Sequence, residues 1–267
     1  MFKFIKISLL LIILIDNLNA QIHLNKTNLA TVCACNPTQS TSIYLSLKNI
    51  KTIDPATFTG LTSLQTLWLE YNQISSIDPA TFKGLTSLQR LELYRNQISS
   101  IDPATFTGLT SLQRLDFSSN KISSIDPATL TGLTSLQYLS LRSNKISSID
   151  PATFTGITSL QQLHLYDNQI SSIDPATFTG LTSLQRLYLF ANQISTIDAD
   201  VFSVLTYIKT ISLCSSKSNE KSLIESALFT NTCVETSCNI SICKRSFFFK
   251  FLIISQINFA FQKTLLI

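Results

Sequence analysis

Residues 67–73 read LWLEYNQ, and the same frame returns every 24 residues as LELYRNQ, LDFSSNK, LSLRSNK, LHLYDNQ and LYLFANQ. The leucines and the asparagine stay, with Phe117 standing once in place of Leu. Between these frames the run IDPATFTGLTSLQ is copied almost letter for letter. A chain built in this way is read first through its period.

With Leu64 as position one, full copies start at Leu64, Leu88, Leu112, Leu136, Leu160 and Leu184. A worn copy precedes them from Ser40 and a decayed one follows from Ile208. In the first full copy the apolar positions are Leu64, Leu67, Leu69, Ile74, Ile77, Phe82 and Leu85. Apolar residues alternate through LWLEY, the period of a strand with one buried face. A single such coil cannot bury its leucines, whereas stacked coils share one continuous core and a parallel sheet, with strands about 4.8 Å apart.

The other recurring letters have local uses. Asn72, Asn96, Asn120, Asn144, Asn168 and Asn192 follow each strand and are expected to turn inward as a structural ladder, bonded to backbone groups of their own and neighbouring turns. Asp54, Asp78, Asp102, Asp126, Asp150, Asp174 and Asp198 recur once per coil. Such an edge of carboxylates can attract calcium, but Asp before Pro suits the start of a short helical or 3-10 turn, and capping is the preferred reading. Gly84 and its equivalents allow the next turn.

The pattern LxxLxLxxNxI in a 24-residue unit, held from about residue 40 to 213 without an insertion, resembles the extracellular leucine-rich repeat family. The resemblance implies an α/β-type solenoid, a right-handed horseshoe. Its concave side is a parallel β-sheet of about 7–8 strands, and its convex side is made of short helical or 3-10 turns.

With positions four and six inside, positions three, five, seven and eight are expected on the concave surface. Here the copies differ. The candidate ligand-binding residues are Trp68, Glu70, Tyr71, Arg90, Glu92, Tyr94, Arg95, Arg114, Asp116, Tyr138, Arg142, His164, Tyr166, Asp167, Arg186, Tyr188 and Phe190. Tyr, Trp and Arg dominate binding energy at protein interfaces. Drift at solvent-facing positions is the bland explanation, but drift does not gather changes on one face while TGLTS and IDPAT hardly change. The pattern is similar to variable lymphocyte receptors and related secreted proteins, which implies a protein or glycan ligand on the concave strands. The rival role is structural: matrix assembly, adhesion or a homodimer through the same sheet. His164 with Asp167 can be imagined as an acid–base pair, yet no nucleophile, zinc spacing or phosphate-binding loop accompanies it. The chain is therefore expected to be a binding protein and not an enzyme, with no cofactor and no metal.

The ends carry different signals. Lys3 and Lys6 precede the apolar run Ile7–Ile15, and Leu18 to Ala20 offer a cut before Gln21, so residues 1–20 read as a secretory signal peptide. The chain is expected to be extracellular. Residues 21–39 form a short amino-terminal cap, 40–213 the solenoid, 214–246 a cysteine-containing carboxy-terminal cap, and 247–267 a hydrophobic tail. Cys33, Cys35, Cys214, Cys233, Cys238 and Cys243 are disulfide candidates, with Cys33 and Cys35 judged poorly placed to pair with each other. Asn25 and Asn239 are candidate glycan acceptors, while Pro37 excludes Asn36. Lys250 and Lys263 argue against a membrane span in the tail and also interrupt the pattern of a glycolipid-anchor signal, which gives a surface tether and is ranked slightly ahead of a span and of a tail with neither role. A net charge of +4 without a basic stripe points away from nucleic acid.

Overall fold

Leu67, Leu91, Leu115, Leu139, Leu163 and Leu187 stand opposite one another across neighbouring parallel strands, each pair offset by one repeat. The computed structural model describes residues 20–195, 197–213, 233–236 and 240–243. All of the expected 1–20 leader except Ala20, together with Cys214, Cys238, Asn239 and the tail at 247–267, lies outside the described residues.

The amino-terminal elements are β1 (Ile22–Leu24), helix α1 (Leu29–Cys33), β2 (Ser42–Tyr44) and β3 (Ile50–Ile53). One strand per coil follows: β4 (Thr66–Trp68), β5 (Arg90–Glu92), β6 (Arg114–Asp116), β7 (Tyr138–Ser140), β8 (Gln162–His164), β9 (Arg186–Tyr188) and β10 (Thr210–Ser212). The last strands are β11 (Cys233–Thr236) and β12 (Ile240–Cys243). A ten-stranded sheet runs β2, then β4 through β12 in chain order. It is parallel up to β11, and β12 closes its edge antiparallel, with Cys233 and Cys243 in register.

The core is the set of letters that do not change. Leucines and isoleucines at the repeat positions are buried, except that Ile101, Ile125 and Ile149 are half-buried, and Phe58, Phe82, Phe106, Phe154, Phe178 and Phe202 form a spine along the solenoid. Adjacent rings stack with centroids 6.2–6.4 Å apart. Each added coil extends both the spine and the sheet, which is why a single coil is not a stable unit.

Backbone groups at each bend are met by the asparagines. Oδ1 of Asn96, Asn120, Asn144, Asn168 and Asn192 accepts the N–H of Ile74, Ile98, Ile122, Ile146 and Ile170, one coil back. Nδ2 of Asn120 donates to the carbonyls of Leu93 and Phe117 at 3.0 Å, and the other amides repeat this pattern. Each buried amide therefore stitches two coils.

On the convex side Oδ1 of Asp54, Asp78, Asp102, Asp126, Asp150 and Asp174 accepts the N–H two residues on at 2.8 Å, and Asp198 does so at 2.9 Å. Most of these segments are hydrogen-bonded turns. Among the described residues, 3-10 helix occurs at Pro127–Leu130 and Ala199–Phe202.

The amino-terminal end is covered by β1, which pairs parallel with β3, and by Leu24 and Leu29, which are buried. One expectation is corrected here. Cys33 and Cys35 form a disulfide, with Cα atoms 5.2 Å apart. Ala34 between them adopts a left-handed conformation (φ 51°) at the end of α1, and this sharp turn swings the two cysteines together. No helix among the described residues is long and apolar enough to cross a membrane.

Candidate functional site on the concave sheet

The concave strands carry three zones. At the amino-terminal end Tyr44 stacks on Trp68 with ring centroids 4.0 Å apart, and Tyr71 meets Tyr94 edge-on at 5.3 Å. Arg90 lies 5.9 Å from the Trp68 ring and Arg95 5.1 Å from the Tyr71 ring, within cation–π range. Tyr44 is 59% exposed and is the site residue that the sequence reading passed over. The available signal was its place at position five of the worn copy, the strand position that holds Trp68 one coil on.

The middle zone is an ion network. Nε of Arg90 and Nε of Arg114 each donate to Oε1 of Glu92 at 2.6 Å, and Arg114 also reaches Asp116 at 3.3 Å. Asp116 further accepts from Ser118, and Ser118 bonds Ser140 at 2.8 Å. Glu70, Glu92 and Asp116 were expected on the open surface, but all three are buried, Glu92 to 1% exposure. For Glu92 and Asp116 the physical reason is the geometry of a closely spaced parallel sheet, on which long arginines fold over the shorter carboxylates beside them, whereas Oε2 of Glu70 is buried with no hydrogen-bond partner among the described residues. Desolvation pushes the Glu92 carboxyl above the usual range, and this outweighs the hydrogen bond and charge of Arg114. Two guanidinium groups are thus already neutralised, so Arg90 and Arg114 have little charge left for a ligand.

The third zone centres on His164. Strand register places Tyr138 and Ser140 on one side of it, Arg186 and Tyr188 on the other, and Gln162 beside it on β8. Arg142, Tyr166 and Phe190 follow two residues beyond these strands. His164 packs against Tyr188 at 4.5 Å, Tyr138 at 5.0 Å and Tyr166 at 6.0 Å, with ring planes tilted by 38–51°. Phe190 stacks on Tyr166 at 4.2 Å. Arg114 covers Tyr138 at 3.6 Å, and Arg142 donates to the Tyr166 hydroxyl at 2.9 Å. Nε2 of His164 is buried and has no partner among the described residues. Burial first, then the charges of Arg114, Arg142 and Arg186, lower the imidazole to about 4, so it is neutral at ordinary pH. Asp167 is exposed and makes no hydrogen bond to His164 among the described residues.

Position eight ends each strand in a way the sequence did not announce. Tyr71, Arg95, Ser119, Ser143, Asp167 and Ala191 all have φ of 52–57°. Left-handed backbone at a non-glycine residue is uncommon. Here it turns the chain off the strand and lets the following asparagine enter the core, and it sets position eight at the rim of the sheet.

A stack of regular coils with an asparagine ladder and a concave parallel sheet defines the class. The leucine-rich repeat family model matches residues 39–98, 86–146 and 134–194, more than half of the chain, and the chain belongs to that family. A comparison with curated proteins gave no match. Among solved structures, the chain is similar to one described as the crystal structure of a TLR13–ssRNA13 complex, with a TM-score of 0.68 and 27% identity over 79% of this chain. It spans 30% of the length of that protein.

Proposed function

We propose that this is a secreted recognition protein that holds a protein or glycan ligand on its concave sheet. One observation carries the reading: the coils keep their turns and core nearly identical and differ where aromatic and arginine side chains are displayed. Those residue types supply contact area at low entropic cost and are enriched in interface hot spots. Trp68, Tyr94, Tyr138, Tyr166 and Tyr188 are the proposed anchors, with Arg142 and Arg186 orienting acidic or polar groups of the ligand. The leader pattern and the Cys33–Cys35 bond support secretion, since disulfides persist in oxidising compartments. The tail at 247–267 is proposed as a surface tether.

The test is capture of partners from surface extracts by the chain and by a variant with those five aromatics changed to alanine, both checked for equal folding by circular dichroism. A partner retained by the first and lost by the second is the expected result. Equal capture by both moves binding away from the concave sheet. Light scattering on the same samples reports self-association, and a stable dimer lost in the variant replaces the recognition reading with an adhesive one.

A further inference from the structure

In the patch around His164 two guanidinium groups have no carboxylate partner among the described residues, Arg142 and Arg186, while the likewise unpaired Arg95 lies at the far, amino-terminal zone over Tyr71. Arg142 and Arg186 occupy opposite corners of the patch centred on His164, one coil to either side and two residues up or down the strand. From strand rise and strand spacing, their Cα atoms lie roughly 16 Å apart. Between them lie an imidazole with an unmet buried nitrogen and the rings of Tyr166 and Tyr188.

We propose that this corner-to-corner arrangement receives an acidic polypeptide segment of a protein partner, one carboxylate at each arginine and an apolar side chain over His164. The inference rests on the concave-face reading and names the chemistry of its ligand. Charge complementarity selects an acidic partner, since burial and three guanidinium groups keep His164 neutral and leave the positive charge on the arginines. The rings meet His164 at 38–51° and make a faceted bowl, suited to an apolar side chain and unsuited to a flat sugar ring lying along the sheet. A nucleic-acid strand brings one phosphate per nucleotide, more negative charge than two uncommitted arginines can neutralise. The separation of the corners matches acidic residues about four or five apart in an extended segment.

The chain contains two histidines, His23 at the exposed amino-terminal cap and His164, so histidine-selective NMR reads the site with a built-in control. The probe is the capped peptide Glu-Gly-Phe-Gly-Glu, compared with Gln-Gly-Phe-Gly-Gln, an oligogalacturonate and an oligouridylate. Expected are a saturable shift of His164 with His23 unmoved, binding at least tenfold weaker for the amide peptide, and binding at least fivefold weaker in Arg186→Gln and in Arg142→Gln. Arg186 is exposed, so its variant leaves the core untouched. Equal binding of the two peptides, or no loss in either variant, overturns the proposal. Tighter binding of the oligogalacturonate or the oligouridylate overturns it in favour of a sugar acid or RNA. If the peptide fails while the five-alanine variant still loses its captured partner, this inference falls and concave recognition stands. If the peptide binds and capture is indifferent to the alanines, the partner caught from extracts is held elsewhere, the five-aromatic anchor reading falls, and the acidic-segment site on the concave sheet stands.

Discussion

Phe117 and Leu130 exchange sizes within one coil. Leucine holds position six in every other coil and phenylalanine holds position nineteen, but in the coil from Leu112 the ring is at position six and the leucine at nineteen. The Phe117 ring lies 5.7 Å from Phe106, the last spine ring before the gap, and both exchanged residues are buried. The spine is therefore interrupted at Leu130, and aromatic volume is restored from the strand side.

This relationship predicts strong coupling. Phe117→Leu alone leaves a void and is expected to cost about 1–2 kcal/mol, while Leu130→Phe alone overpacks and costs about 1–3 kcal/mol. The double variant rebuilds the pattern of the other coils and is expected to recover most of the loss. Urea denaturation of the four proteins gives the interaction energy directly. Simple additivity of the two costs would show that the sites do not share space.

Backbone conformation makes a second prediction. Ser143 is left-handed at φ 53°, so Ser143→Gly is expected to hold or raise stability by up to about 1 kcal/mol and Ser143→Val to lower it by about 1–2 kcal/mol. At Gly108, with φ 84°, an added Cβ meets nothing within 4 Å. Gly108→Ala should therefore cost about 1 kcal/mol from the backbone alone. Thermal melts test all three, and a stabilising Ser143→Val would show that the bend after each strand is not needed.

A third prediction compares buried polar groups. Asn120→Ala leaves the Ile98 N–H and the carbonyls of Leu93 and Phe117 without their partners and is expected to cost about 2–4 kcal/mol. The Thr105 hydroxyl is buried without a partner among the described residues, whereas Thr57 donates to the carbonyls of Leu24 and Asp54. Thr105→Val is thus expected to be neutral or stabilising and Thr57→Val to cost about 1 kcal/mol. Denaturation midpoints of the pair decide it, and an equal loss at both positions refutes the distinction.

The fourth prediction concerns pH. His164 is near 4 in the folded chain against 6.5 for the free imidazole, so between these values the unfolded chain binds the extra proton. Its contribution is complete above pH 6.5 and is lost as pH falls towards 4. Glu92, raised above 4.5, acts in the opposite sense: its burial penalty grows as pH rises from 4.5 through its folded value. His164→Gln should accordingly shrink the drop in melting temperature between pH 7 and pH 5. NMR titration should place His164 near 4, and a value near 6.5 would remove the basis for this effect.

Much of this protein was legible in its residues because a solenoid is nearly one-dimensional. Each coil touches its neighbours, so a 24-residue period dictates strand register, the leucine core, the asparagine ladder and the aspartate caps without knowledge of distant contacts. The candidate surface was legible as positions on strands.

What each position does there was not. Periodicity reports which way a side chain leaves the strand, but not how neighbours cover it. Only the stacking of coils buried Glu92 under Arg90 and Arg114, stacked Tyr44 on Trp68 and set Arg142 and Arg186, with no carboxylate partner among the described residues, around a neutral His164. Only backbone geometry at Ala34 brought Cys33 to Cys35. The sequence by itself determined the scaffold, because its interactions repeat at fixed short range. Tertiary structure decided the charge and exposure of the concave face, because those depend on which unlike residues one coil sets beside the next.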